Sequence, residues 1–124
     1  MTTPSRIVLI VEDEPDIAEL IRMEFSFAGW TVHVCSTADE ALPLALRLHP
    51  DVMVIDVMLP GYIDGFELCR TIKVHDSLAA TAVVILTALD QSNQRLAGEM
   101  AGCDAYLVKP FSPAELEQTA RALA

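Results

Sequence analysis

The chain is 124 residues long, 52% hydrophobic and 21% charged, a globular composition that fits one domain over 1–124. Its net charge of −10 leaves eight scattered basic residues and no basic helix, which argues against direct contact with nucleic acid. No apolar run approaches the roughly 20 residues that span a bilayer, and MTTPSRIVLIVEDEP is a poor secretion signal, so a cytoplasmic location without membrane contact is expected.

The first apolar run, 7–11, reads as a strand and ends in Glu12, Asp13 and Glu14. Helical spacing follows, with Ile17, Leu20, Ile21, Phe25 and Ala28 on one face and Gly29 as the stop. A more alternating run at 31–35 is the second strand. The next helix opens on Thr37-Ala-Asp-Glu40, a capping-box pattern, and contains Pro43, which cannot donate to the Asp39 carbonyl and should kink it. The third strand, 52–56, ends in Asp56. Asp64 then caps a helix that turns Phe66, Cys69 and Ile72 inward.

The fourth strand is predicted over 82–87, followed by a polar helical segment over 90–102 that contains Gly98. A fifth strand covers 105–108. The last helix starts at Ser112-Pro-Ala-Glu115, a cap with proline at the first helical position, and turns Leu116, Ala120 and Leu123 inward.

Five alternating strand–helix units imply an α/β fold with a doubly wound parallel sheet, right-handed crossovers and helices on both faces. Ligands of such sheets bind beyond the carboxyl ends of the strands. The three cysteines, Cys35, Cys69 and Cys103, form no CxxC pair and read as buried reduced thiols. His33, His49 and His75 match no ligand spacing and read as ordinary structural or surface positions.

The strand ends bring together Glu12, Asp13, Asp56, Thr87, Ala88, Lys109 and Pro110. Carboxylates this close repel unless a cation offsets them, and carboxylate-plus-water coordination fits magnesium, with manganese as the alternative. Such a site suits an incoming phosphoryl group. Metal and Lys109 would neutralise its oxygens, the Thr87 hydroxyl and the Ala88 backbone N–H would orient it, and a carboxylate would attack phosphorus. Asp56 is the best-placed nucleophile, between the metal side and the lysine side. Asp13 suits a direct metal ligand, and Glu12 suits holding a metal-bound water.

VEDEP near the start, Asp56 followed by Pro60 and Asp64-Gly65, LTA at 86–88 and YLVKPF at 106–111 together resemble the receiver domain of two-component response regulators. The resemblance runs over nearly the whole chain, with every motif in the family's order. It implies strand order 2-1-3-4-5 and Asp56 as the phosphoacceptor. Glu12 and Asp13 become the acidic pair that organises magnesium, and Met58 gives it a backbone carbonyl. Thr87 and Tyr106 become the switch pair, Lys109 the site lysine, and the Lys109–Pro110 peptide cis. The implied donor is a sensor histidine kinase or a histidine phosphotransfer protein. The implied recipient of the signal is an output domain or protein, reached through a surface on the 90–102 segment, the last strand and the last helix. Homodimerisation on phosphorylation is compatible with the resemblance.

The sequence departs from the pattern in the loop after Asp56, where Gly61, Tyr62 and Ile63 give one residue more than the family's usual spacing. Met58 and Leu89, two residues past Asp56 and Thr87, are apolar and cannot orient a hydrolytic water, so a long-lived phosphoryl group is expected. A magnesium-dependent phosphatase would want a second acid/base at position 58, which Met58 cannot be. A receiver-like module that is never phosphorylated would be expected to lack Asp56, Lys109 or the acidic pair, and all are present. A domain that assists its own phosphorylation, without turning over an outside substrate, is the reading that remains.

Overall fold

Continuous apolar strands need cover on both faces, and in the computed structural model helices supply it on either side of one sheet. The structure describes residues 5–59, 61, 64–87 and 101–124. Strands β1 (Ile7–Val11), β2 (Thr31–Cys35), β3 (Val52–Asp56), β4 (Ala82–Thr87) and β5 (Ala105–Val108) have the limits read from the sequence. They are parallel and stand in the order β2-β1-β3-β4-β5. Helices α1 (Pro15–Phe27), α2 (Ala38–Leu48), α3 (Gly65–Val74) and α4 (Pro113–Leu123) connect or follow them, with a 3-10 turn at Asp76–Leu78. The helix expected over 90–102 falls almost wholly outside the described residues.

Alternation along the strands divides the core in two. Leu9, Val11, Met53, Ile55, Val83 and Ile85 face α2 and α3. Val8, Ile10, Val52, Val54, Val84 and Leu86 face α1 and α4. The central strand β3 and its neighbour β4 are buried along their whole length, up to their carboxyl ends.

The expected caps form. Thr37 accepts from the Glu40 N–H at 3.2 Å and Asp64 from the Glu67 N–H at 2.9 Å. Ser112 accepts from the Glu115 N–H at 3.3 Å, with Pro113 opening α4. Gly29, at φ +97°, turns the chain after α1. Pro43 lies inside α2 without ending it.

Three expected core positions are corrected. Ala28 lies past the end of α1 and is exposed, Leu20 is 57% exposed and Leu123 37%. The helical period explains Leu20: Ala18, Ile21 and Phe25 form the stripe that meets the sheet. Leu20, Met23 and Phe27 form a second apolar stripe that turns outward. In α4 the inward face takes Glu117 together with Leu116 and Ala120.

Candidate phosphoacceptor site

Each polar residue of the site is placed by the end of a strand. Asp56 closes β3 and is only 3% exposed. Glu12 follows β1, where its N–H extends the ladder to the Cys35 carbonyl at 3.0 Å. Lys109 follows β5, and its N–H donates to the Thr87 carbonyl at 2.7 Å. Thr87, the last residue of β4, is buried one residue beyond Leu86, the register partner of Asp56. Tyr106 lies within β5 opposite Ile85, half-buried against the cluster that faces α2 and α3. Ala88, Leu89, Pro60, Tyr62 and Ile63 lie outside the described residues.

The Asp56 carboxylate is held from two directions. One oxygen accepts from the Met58 backbone N–H at 2.8 Å. The other accepts from the Lys109 ammonium at 2.5 Å. Lys109 also stands 3.7 Å from Glu12 Oε1. The Lys109–Pro110 peptide is cis, as the resemblance implied.

Glu12 is the odd member. Its Oε2 accepts from the Glu14 N–H at 3.2 Å, while Oε1 is buried with no hydrogen-bond partner. Two ionised carboxylates have no donor between them, so nearby Asp56 cannot satisfy that oxygen. Burial pushes the Glu12 carboxyl up to about 8, reinforced by Asp56 and opposed by the Glu14 N–H and the Lys109 charge. Burial alone would lower the Lys109 ammonium, but Asp56 and Glu12 outweigh it and hold it above its ordinary value.

An orphaned buried carboxylate oxygen is a position for a cation. Glu12, exposed Asp13 and buried Asp56 each offer an oxygen, and these atoms lie within 4.8 Å of one another. An all-oxygen set of this kind fits magnesium.

Gly65 is a site residue that the sequence reading left without a role. A Cβ there would fall 2.3 Å from the Asp56 carbonyl oxygen and 2.8 Å from Val57 Cα. The start of α3 therefore packs directly on the backbone that carries Asp56, and the Gly65 N–H donates to the Val57 carbonyl at 3.2 Å. The glycine directly behind an N-cap was the one available signal. Gly61, at φ +103°, begins the lengthened loop beside the Asp39 carboxylate.

Beside Lys109 and Pro110 opens a groove of about 400 Å³, lined by Ile17, Leu20, Ile21, Phe111 and Pro113. Cys35 and Cys69 are buried, Cys103 is half-buried, and none of the three is in a disulfide. No described helix is long and apolar enough to cross a membrane.

The family model for the response regulator receiver domain matches residues 8–121. The chain is 40% identical over 116 residues to the transcriptional regulatory protein TrcR of Mycobacterium tuberculosis, covering 94% of this chain and 44% of that protein. It thus spans about half the length of the curated relatives it matches. Its fold is similar to the receiver domain of the Francisella response regulator 1452, with a TM-score of 0.87 and 35% identity over 96% of each chain. It is also similar to the receiver domain of the sensor histidine kinase PA1611 of Pseudomonas aeruginosa PAO1, a structure with a magnesium ion coordinated in its active-site cleft. That likeness has a TM-score of 0.87 and 28% identity, covering 97% of this chain and 98% of the other.

Proposed function

Because the chain belongs to the response regulator receiver domain family, we propose that it takes a phosphoryl group onto Asp56 from the phosphohistidine of a sensor histidine kinase or histidine phosphotransfer protein. The observation that carries this reading is the pairing of a nearly buried carboxylate with an ammonium at 2.5 Å, beside a buried carboxylate oxygen without a partner. A nucleophile and a charge-compensating group are then already in place.

Glu12, Asp13, Asp56 and the Met58 carbonyl would hold magnesium, or manganese in its place. When bound, the ion supplies positive charge that offsets the clustered carboxylates and the phosphoryl oxygens. The Met58 N–H fixes one Asp56 oxygen, and the other stays with Lys109 until phosphorus arrives. A bond forms from an Asp56 carboxylate oxygen to phosphorus as the N–P bond of the donor breaks, and the imidazole leaves and takes its proton from solvent. Lys109 then pairs with a phosphoryl oxygen, while the Thr87 hydroxyl and the Ala88 N–H orient the others.

Drawing Thr87 toward the new oxygens would vacate space for Tyr106 to turn inward. That would change the surface formed by the 90–102 segment, β5 and α4, to which an output domain or protein responds. The domain works in the cytoplasm as a single unit, makes no nucleic-acid contact of its own, and assists its own phosphorylation without turning over an external substrate. Homodimerisation through the changed surface is compatible with this scheme. Apolar Met58, a residue 69% exposed, and Leu89 give no group to position a hydrolytic water, so the adduct is long-lived.

Incubation with a small phosphodonor and magnesium, followed by intact mass, tests the reading. A stable gain of one phosphoryl group, abolished by Asp56→Ala, is the expected result. Continuous phosphate release without a protein adduct overturns it.

A further inference from the structure

A parallel sheet sends the helices that follow its strands off with their N-termini at the strand-end edge, where the site lies. Each described helix carries acid there. Asp16 is in the first turn of α1, Asp39 and Glu40 in that of α2, Glu67 in that of α3 and Glu115 in that of α4. Helix dipoles favour such placement on their own account. Apart from Lys109, the described basic side chains avoid that edge: Arg47, Lys73 and Arg121 occupy last turns, Arg22 and Arg70 lie within α1 and α3 beyond their first turns, and Arg6 precedes β1. Among the described residues, Lys109 is the one basic side chain in a strand-end loop or a first helical turn.

That single cation is already engaged, 2.5 Å from Asp56 and 3.7 Å from Glu12. The rim acids are exposed, and Asp39 lies against the site loop, its Oδ2 3.4 Å from the place a Cβ on Gly61 would take. At the centre, Glu12 Oε1 is buried without a hydrogen-bond partner. A cation bound there offsets the central carboxylates and leaves the rim as it is. An anion approaching from solvent therefore meets an opposing field before it reaches Lys109.

We propose that this acidic rim selects phosphoryl donors by charge. It disfavours small free dianions and favours a donor imidazole set in a protein surface rich in lysine and arginine. The inference rests on Asp56 being the acceptor and adds the chemistry of the donor's surroundings.

The test uses the full chain at saturating magnesium, with saturation checked by a separate titration at each salt concentration. Initial rates of adduct formation are compared for acetyl phosphate, a dianion whose O–P bond breaks to release acetate, and phosphoramidate, a monoanion whose N–P bond breaks to release ammonia. Raising salt from about 10 mM to about 150 mM shortens the screening length from about 30 Å to about 8 Å. The acetyl phosphate rate is expected to rise about threefold to tenfold, and the phosphoramidate rate by a clearly smaller factor. Asp39→Lys with Glu67→Lys should raise the low-salt acetyl phosphate rate and flatten its salt dependence. Asp39→Asn with Glu67→Gln serves the same purpose if the reversal perturbs folding. A phosphohistidine peptide flanked by lysines should out-transfer its glutamate-flanked counterpart by about tenfold at low salt, with the gap closing as salt rises. Equal salt dependence for both small donors, or equal transfer from both peptides, overturns the proposal. Absence of any adduct with every donor at every salt concentration overturns the acceptor reading beneath it.

Discussion

The indole Nε1 of Trp30 donates to Oε2 of buried Glu117 at 2.9 Å, tying the start of β2 to α4 across 87 residues of sequence. Around this bond, Phe25 meets the indole edge-on at 5.2 Å, Arg6 lies 5.9 Å above its ring, and Arg121 pairs with the other Glu117 oxygen at 3.2 Å. Glu117→Ala leaves the indole N–H unsatisfied in the core and should cost about 2–3 kcal/mol. Glu117→Gln keeps an acceptor in place and should cost less than half of that. Urea unfolding followed by Trp30 fluorescence, from the chain's one tryptophan, measures both.

Magnesium should stabilise the domain, because the proposed ligands, just after β1 and at the end of β3, are brought together only in the folded chain. At about 100 times its dissociation constant the gain is about 2.7 kcal/mol. Asp13→Asn removes an exposed ligand with little effect on the metal-free fold, and should weaken magnesium binding by about tenfold or more. Thermal unfolding with and without magnesium, for both proteins, reads the difference directly. Equal stabilisation of the two would remove Asp13 from the ligand set.

Gly65→Ala tests the packing beneath the acceptor. The new methyl group would meet backbone, which cannot rotate away, so α3 or the end of β3 must shift. A loss of about 1–3 kcal/mol or more is expected, as for overpacking elsewhere. Phosphoryl gain should slow along with it, since the Met58 N–H that orients Asp56 lies on the displaced segment. Gly29→Ala is the comparison: its Cβ would have open space, so only the positive φ opposes it and Asp56 is undisturbed.

Burial pushes the thiols of Cys35 and Cys69 up from 9.0 to about 12. In the native protein both should therefore resist alkylation at neutral pH, leaving half-buried Cys103 as the reactive thiol. Intact mass after iodoacetamide should show at most one adduct natively and three in denaturant. The linkage has a definite sign. Between pH 9 and 12 the unfolded chain has released thiol protons that the folded chain still holds, so stability contributed by these groups falls as pH rises through that window. A Cys35→Ala, Cys69→Ala variant should lose this alkaline dependence.

Strand positions were legible because every strand is a short, mostly apolar run, and the core strands β3 and β4 lack polar interruptions until their last residues. The caps at Thr37, Asp64 and Ser112 were legible for a local reason: a cap is decided by residues three apart. Leu20 was misread because hydrophobicity does not say which of two apolar stripes on α1 meets the sheet. Glu117 was missed because its burial depends on Trp30, 87 residues away. Among the site residues, Asp56, Glu12, Asp13 and Lys109 follow from the rule that strand ends gather at one edge. Gly65 does not, because its importance is the absence of a side chain where two backbones touch.

The ion pair that completes the site joins Lys109 to Asp56 over 53 residues, and Glu12 directly follows the opening strand. During synthesis the carboxylates emerge first and remain without their ammonium until β5 has docked at the far edge of β4. A nascent or truncated chain ending before β5 thus holds Asp56, the proposed acceptor, without its counter-charge. On the proposed reading, competence to be phosphorylated reports a finished fold, and unfinished copies stay silent.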